Sequence, residues 1–360
     1  MMISEVHVRK GALSDAVLAT RAAPVLADGM VRLQVESFSV TANNVTYAVV
    51  GDGFRYWDFF PAPQGWGIVP MWGHARVIES RCEGIAVGER VYGYLPMASH
   101  LDVVPGRISP GSFADTAEHR QPMSPIYNQY ARLAADPEHD PQHEGERMIF
   151  GPLFRTGFLI EYFMRANSWF GASQLLVTSA SSKTALGLAS VARENSPHIK
   201  RIGLTSPSNV SFVEATGLYD QVVAYDAIET LADVSSVSVD MAGNARLLEL
   251  VHRHLSGSLQ YSALVGATHI EARSTIGKAG TLPGPKSELF FAPDHAVALY
   301  KELGTAEATR QMATAWRGFL AASEGAITIT RLQGLPKAQR VFTEMVAGKV
   351  DPSQGIIIEP

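Results

Sequence analysis

Gln174-Leu-Leu-Val-Thr-Ser-Ala-Ser-Ser-Lys-Thr-Ala-Leu-Gly187 is the stretch on which the reading of this chain turns. An apolar strand-like run ends in small residues, and a helical pattern starts at once. A dinucleotide-binding βαβ unit carries its glycine fingerprint at that junction. There the backbone approaches a pyrophosphate and a helix N-terminus faces the negative charge. In this chain serines and a lysine stand where glycines are usual.

Working outward, the same grammar repeats. Strand 174–179 leads to helix 183–194, strand 202–205 leads to helix 209–216, and strand 221–225 follows. Strand 234–239, a helix over 244–255 and strand 259–265 continue the series, and Ser287-Glu-Leu-Phe-Phe291 reads as a sixth strand. Strands separated by helices of this length predict βαβ crossovers and a parallel sheet.

The first 150 residues read differently. Val31-Arg-Leu-Gln-Val-Glu-Ser-Phe38 alternates apolar and polar residues, as a half-buried strand does. Trp72 to Ser80 and Glu89 to Leu95 are similar, with turn signals in Gly84-Ile-Ala-Val-Gly-Glu-Arg90 between them. This region predicts a small β-rich, barrel-like domain. A helical pattern covers Phe158 to Ala166. In the tail, a long helical stretch from Asp294 to Ser323 precedes a strand from Ala326, a helix from Pro336 to Ala347 and a short strand from Gly355.

Bulk properties narrow the function classes. Of the 360 residues, 46% are hydrophobic and 18% charged, enough apolar surface for a sizeable core. The formal net charge of -5 argues against a nucleic-acid binder, which shows a basic face. A single cysteine, Cys82, excludes an intrachain disulfide and a multi-cysteine zinc site. No signal-like apolar region opens the chain, and no apolar run reaches the roughly 20 residues that span a bilayer. A soluble cytoplasmic protein without membrane contact is the expectation.

Several anchors, taken together, resemble the zinc-free medium-chain dehydrogenase/reductase family, in its quinone oxidoreductase and enoyl reductase branch. Ser39-Val-Thr-Ala-Asn-Asn-Val-Thr-Tyr-Ala-Val-Val-Gly51 is similar to the family segment whose Thr-Tyr pair lines the active site. Gly84 to Gly93 resembles the family's G-V-G-D-R-V-x-G turn, and Leu335 to Val350 resembles its closing helix. The degraded fingerprint, Ser-Ala-Ser-Ser-Lys-Thr, looks more closely like an uncharacterised bacterial domain-of-unknown-function subgroup. The chain departs from the family where Tyr56-Trp-Asp-Phe-Phe-Pro61 replaces a proline- and glycine-rich segment.

The resemblance implies an α/β fold: a GroES-like β-rich barrel domain over 1–150 and 294–360, and a doubly wound Rossmann domain with a parallel sheet over 151–293. It also implies a homodimer, built through the sheet edge at the apolar strand 259–265. Thr156 falls where the family has a threonine opening the helix under the nicotinamide.

Within that frame Ser179, Ala180, Ser181, Ser182, Lys183 and Thr184 form the expected phosphate turn. Their small side chains permit close approach, and the hydroxyls and lysine offer donors. Gly187 is expected to give a close helix–strand contact. Simple helix capping by Ser181 or Ser182 is the competing reading. At the end of the second strand, Gly203-Leu-Thr-Ser-Pro-Ser-Asn209 has no acid for a ribose hydroxyl. Thr205, Ser206, Ser208 and Asn209 suit a 2′-phosphate instead, so NADPH is expected over NADH. Capping by Ser208 and Asn209 is compatible with that. Tyr225 matches an adenine-side tyrosine of the family. Met241, Gly243, Val265, Gly266 and Thr268 lie at carboxyl ends of strands, where ligands bind in open α/β sheets. Phe290 and Phe291 fall near the family's nicotinamide contacts. For these strand-end residues ordinary packing competes with ligand contact.

Zinc-dependent relatives carry Gly-His-Glu, whereas Gly73-His74 is followed by Ala75. A catalytic zinc takes about three protein ligands, so no metal is expected. His139, Asp140, His143 and Glu144 read as a solvated loop between prolines. For the chemistry, Tyr47 is the expected proton donor, with Thr46, Asn43 and Asn44 orienting a substrate oxygen. An aromatic residue filling a barrel end is the alternative for Tyr47. Tyr56, Trp57, Phe59 and Phe60 are expected to wall a pocket for a flat or apolar substrate, with a core patch as the alternative. The function that results is an NADPH-dependent, zinc-free reductase of a quinone, enone or enoyl thioester. A non-catalytic relative that binds a small molecule or partner through a degenerate cofactor site is the second hypothesis.

Overall fold

Apolar alternation along Val31–Val40 places Val31, Leu33, Val35 and Phe38 in the core, and this strand organises the first half of the protein. It pairs antiparallel with Pro70–Ser80 on one side. On the other it pairs with His100–Val103 and, toward its end, with Gln354–Glu359. Beyond Pro70–Ser80 the sheet continues through Arg90–Pro96, Gln129–Arg132, Ser112–Asp115 and Pro105–Gly106. Thr328–Gln333 closes the far edge, parallel to Gln354–Glu359. A three-stranded sheet of Ala16–Ala22, Met2–Arg9 and Trp66–Gly67 accompanies it.

The structure is a computed structural model, and it describes residues 1–265, 282–325, 327–351 and 353–360. Two units are distinguished: Met1–Ile149 with Thr328–Pro360, and Phe150–Ile327. The expected return to the first domain at 294 is therefore displaced to 328. Helices Ala292–Leu303 and Thr305–Ala322 belong to the second unit, because their apolar face has a partner there. Trp316 and Phe319 are buried against Phe154, and Phe319 also meets Phe150 at 5.1 Å between ring centroids. Burying one such ring contributes about 2–3 kcal/mol. The single long helix expected over 294–323 is two helices, divided at Gly304, whose φ is 77°.

The second unit holds a six-stranded sheet in the spatial order Gln221–Ala224, Lys200–Thr205, Gln174–Thr178, Ser236–Asp240, Leu259–Leu264 and Glu288–Leu289. Every pairing in it is parallel. In chain order this is 3-2-1-4-5-6, the doubly wound dinucleotide-binding order, whose topological switch point lies between the first and fourth strands. The strand expected at 259–265 as a dimer edge is not the outermost one. Its Ala263 and Leu264 pair with Glu288 and Leu289, which form the edge.

The helix Glu144–Ala166 begins in the first unit and is longer than the 158–166 pattern predicted, since it runs through Pro152. Proline has no N–H for the carbonyl four residues back, which here is Met148. Ser39 Oγ donates to that carbonyl instead, at 2.6 Å. Farther along, a Cβ on Gly157 would stand 2.5 Å from Leu188 N, and one on Gly187 would stand 3.0 Å from Phe154 Cα. The two glycines let this helix and Lys183–Asn195 touch backbone to backbone. Gly187 thus serves a helix–helix contact, not the helix–strand contact expected. The close strand approach falls to Gly203, whose Cβ would meet that of Ala180 at 3.0 Å.

After the helix, Ser168, Trp169, Phe170 and Gly171 all have positive φ, between 49° and 77°. Left-handed geometry costs an L-residue about 1–2 kcal/mol. Burial of Trp169 offsets it, with its indole Nε1 bonded to Ser196 Oγ at 3.1 Å and Ser196 Oγ bonded to Glu161 at 2.9 Å. Phe170 stacks on Tyr261 at 4.3 Å. Among the described residues no helix is long and apolar enough to cross a membrane.

Replacing Gly157 by alanine is expected to destabilise the protein by about 1–3 kcal/mol through overpacking, against the ~1 kcal/mol that alanine gains in an isolated helix. Thermal unfolding checks it. A variant as stable as the parent would show that the two helices part without cost.

Candidate functional site

At the head of the first parallel strand the chain must reverse into a helix within four residues. Ser179 does so with φ 50°, in the left-handed region that a glycine would occupy without strain. Its N–H donates to Tyr225 Oη at 3.0 Å, and its carbonyl accepts from Ser182 N–H at 2.8 Å. Ala180 is buried, donates to Leu204 O at 3.0 Å and accepts from Tyr219 Oη at 3.1 Å. Ser182 is the N-cap of Lys183–Asn195, its Oγ accepting from Ala185 N–H at 3.3 Å. Lys183 and Thr184 follow in the first turn, both half-buried.

The end of the second strand folds toward this turn. Asn209 Nδ2 donates to Ser181 Oγ at 3.2 Å, and the Ser206 and Ser208 hydroxyls lie 3.1 Å apart. Thr205 Oγ1 is buried without a hydrogen-bond partner. Tyr225, at the end of the third strand, is a clasp on the turn backbone, and burial pushes its phenol above the usual range.

Two residues not singled out from sequence hold the switch point. Thr178 Oγ1 donates to Asp240 Oδ1 at 2.5 Å and accepts from the N–H groups of Met241 and Ala242 at 2.9 and 3.1 Å. Asp240 also accepts from Ala242 and Gly243, each at 3.2 Å. Burial raises the Asp240 carboxyl, while these donors pull it down. Met241 and Gly243 therefore sit on a loop pinned from beneath, with Gly243 at φ 64°. Val265 donates its N–H to Asp240 O at 2.9 Å. Gly266 and Thr268 lie outside the described residues.

One other expectation is corrected. Thr156 does not open a helix; it lies mid-helix with Oγ1 bonded back to Pro152 O at 3.3 Å. Phe290 is buried, its ring stacked on His295 at 3.8 Å and near Phe163, and Phe291 caps the next helix.

In the first unit, Tyr47, Asn43, Asn44 and Thr46 share the short helix Ala42–Val49. Asn44 is spent on structure. Its Oδ1 accepts from Thr41 N–H at 2.7 Å and its Nδ2 donates to Pro70 O at 2.8 Å, completing a capping box. Thr46 Oγ1 bonds back to Ala42 O at 3.3 Å. Tyr47 is buried, and its hydroxyl accepts from Trp72 Nε1 at 3.1 Å. Burial and the neighbouring Tyr56 push the Tyr47 phenol well above its usual range, opposed by bonds from Trp72 and Asn43.

Tyr56, Trp57, Phe59 and Phe60, expected to wall a pocket, are all core residues at 7% exposure or less. Tyr56 packs on Tyr47 at 4.6 Å and its hydroxyl meets that of Tyr127 at 3.0 Å. Phe59 and Phe60 cover the guanidinium of Arg120, which is fully buried and paired with Asp115 at 3.1 Å. Tyr94 and Tyr127 complete the phenol cluster, with Tyr94 Oη buried and unpartnered. Neither these two nor Trp72 was marked from sequence. The signal was strand alternation, which puts Trp72 on the face of His74.

His74 is fully buried, and neither ring nitrogen has a partner. Burial holds its pKa down at about 3. The segment expected to be solvated is partly tied down. Burial alone would raise Glu144, but Arg90 at 2.7 Å and His139 at 2.9 Å hold its carboxyl down at about 2. His143 bonds Asp140 at 2.8 Å. Among the described residues no group of three or more His, Cys, Asp or Glu is placed to hold a metal ion.

A β-rich unit and a parallel sheet in the doubly wound order 3-2-1-4-5-6 define the fold. The solved structures it resembles share that fold. Vibrio vulnificus CurA in complex with NADPH has a TM-score of 0.58 at 14% identity, covering 99% of this chain and 98% of that one. The quinone oxidoreductase of Coxiella burnetii has a TM-score of 0.58 at 12% identity over the whole of both chains. The CurK enoyl reductase has a TM-score of 0.56 at 12% identity over 99% of each. The chain itself belongs to the family described as "Protein of unknown function (DUF2855)", matched over residues 38–351. No functionally curated protein matches it.

An unfolded histidine gains a proton near pH 6.5, whereas folded His74 does so only near pH 3. The stability its neutral ring contributes is complete above pH 6.5 and is lost as pH falls toward 3, at up to ~1.4 kcal/mol per pH unit. His74→Phe is expected to flatten this acid slope in urea unfolding between roughly pH 7 and 5. An unchanged slope would mean that the ring is already protonated in the fold.

Proposed function

We propose that this protein is an NADPH-dependent reductase that acts without a catalytic metal on an activated double bond or carbonyl, in the quinone, enone or enoyl thioester class. The observation that carries the reading is the turn Ser179–Thr184, which takes a left-handed path into a helix N-terminus at the first strand of a 3-2-1-4-5-6 sheet. Thr205 adds a test of fit: its buried, unpartnered hydroxyl at the end of the second strand would be satisfied by a polar ligand group. The same strand end presents Ser206, Ser208 and Asn209 and no acid, which suits a phosphorylated ribose. CurA, similar in fold, was solved with NADPH.

In this reading Lys183, Thr184 and the first helical turn bind the pyrophosphate, and the loop 241–243 shapes the crevice beside it. When bound, NADPH supplies a hydride. Tyr47 holds a proton at Oη for the oxygen or carbon that becomes basic as the substrate is reduced.

A fluorescence titration should show NADPH binding in preference to NADH. Absence of binding at millimolar NADPH would sink the reading and favour a non-catalytic relative. Lys183→Ala should weaken NADPH affinity by about tenfold, the order of one charge-assisted contact.

Tyr47→Phe should lower kcat by roughly 10²-fold or more with NADPH affinity nearly unchanged. Equal turnover in the two proteins would remove Tyr47 as proton donor.

A further inference from the structure

Trp72 stands on the strand Pro70–Ser80, half-buried, with its ring 5.1 Å from Tyr94 and 5.7 Å from Tyr92. Its indole nitrogen lies 3.1 Å from Tyr47 Oη. An indole N–H donates and has no lone pair with which to accept. The direction of this bond is therefore settled by chemistry: Tyr47 is the acceptor. A phenol has one proton to give, and this contact does not use it. The Asn43 side chain, on the same helix, also pulls the Tyr47 phenol toward its ionised form. The nearest phenol pair, Tyr56 and Tyr127, is closed on itself at 3.0 Å. The hydrogen bond that Tyr47 makes to Trp72 thus brings a donor to its oxygen and leaves its proton unused.

We infer that Trp72 is a positioning residue that makes Tyr47 a proton donor: its N–H occupies the phenol oxygen and leaves the phenol proton to be delivered to a substrate. The inference rests on the reductase reading above and adds a residue to it. In the step, the hydride's electron pair forms a C–H bond to one atom of the activated double bond and displaces the π pair; the Tyr47 O–H bond breaks, and its proton passes to the oxygen or carbon left holding that displaced pair. The phenolate left behind is stabilised by the N–H of Trp72 until solvent returns a proton. A phenolate in an aromatic core would otherwise be strongly disfavoured. The indole also differs from its neighbours in kind, since Tyr56, Tyr94 and Tyr127 can each either donate or accept.

The test places a fluorinated tyrosine at position 47 of the full chain, lowering the phenol pKa into the range where the protein stays folded. Its ionisation is followed by fluorine NMR without cofactor or substrate. In Trp72→Phe the midpoint should rise by about one pH unit or more, the order expected for losing a hydrogen bond to a charged group. Benzothienylalanine at position 72 keeps the ring shape and lacks the N–H. It should give the same rise if Trp72→Phe fails to fold. Tyr56→Phe is the control for general packing and should shift the midpoint less. In unlabelled protein Trp72→Phe should also lower kcat about tenfold, with NADPH affinity unchanged. A midpoint unmoved by either change at position 72, or moved equally by Tyr56→Phe, overturns the inference. If the midpoint moves but no reductase activity is found with NADPH, the reductase reading fails, while the hold of Trp72 on the phenol stands. Activity with an unmoved midpoint is the reverse case.

Discussion

Everything in the second unit follows from a backbone that must reverse at Ser179. A serine with φ 50° is strained, and the turn persists because it is bonded on every side. Tyr225 takes its N–H, Leu204 takes that of Ala180, and Tyr219 bonds the Ala180 carbonyl. Those three partners come from the second strand and the segments flanking the third. The turn is thus shaped by the order of the sheet. Its backbone is held by tyrosines, where a glycine-rich version would be held by its own conformational freedom. The strain is offset mainly by hydrogen bonds and by the burial of Ala180.

The first unit faces a different constraint, the satisfaction of polar atoms in an aromatic core. Four tyrosines and a tryptophan crowd around Tyr47, and phenols buried in apolar surroundings stay protonated. Such a cluster stores protons by default. What separates one phenol from its neighbours is the company its oxygen keeps. Tyr47 is set apart by the indole of Trp72, and Tyr56 and Tyr127 by each other.

The strands and helices of the parallel sheet were legible because their period and punctuation are local. The order 3-2-1-4-5-6 then follows from the doubly wound class. The turn at 179–184 is legible for the same reason, while the choice of cap between Ser181 and Ser182 is settled only by the structure, at Ser182. What could not be read were roles set by partners distant in sequence. Asn44 looked free to meet a substrate, yet Thr41 and Pro70 take its amide. Tyr56, Trp57, Phe59 and Phe60 looked like a pocket wall because clustering says nothing about which way a cluster faces. Thr178 and Asp240 end strands 62 residues apart, and only pairing makes them neighbours. The expectation that the first domain resumes at 294 misplaces the helices over 292–322, because amphipathic helices do not name the surface they cover. Phe150 and Phe154 decide that, and they precede the tail by well over a hundred residues.

The bond from Ser39 to the Met148 carbonyl has a mechanical meaning. A helix normally closes its ladder within itself, so it can fray or slide by one turn without consulting the rest of the molecule. This one has a missing rung at Pro152, and a strand hydroxyl supplies the substitute. The helix is thereby indexed to the strand Val31–Val40 at one carbonyl, like a gear tooth seated in a notch. Rotation of the helix about its axis, or a one-turn slip, would expose that carbonyl with nothing to replace Ser39. Any rotation or slip of the helix at Met148 must therefore break a bond to the strand.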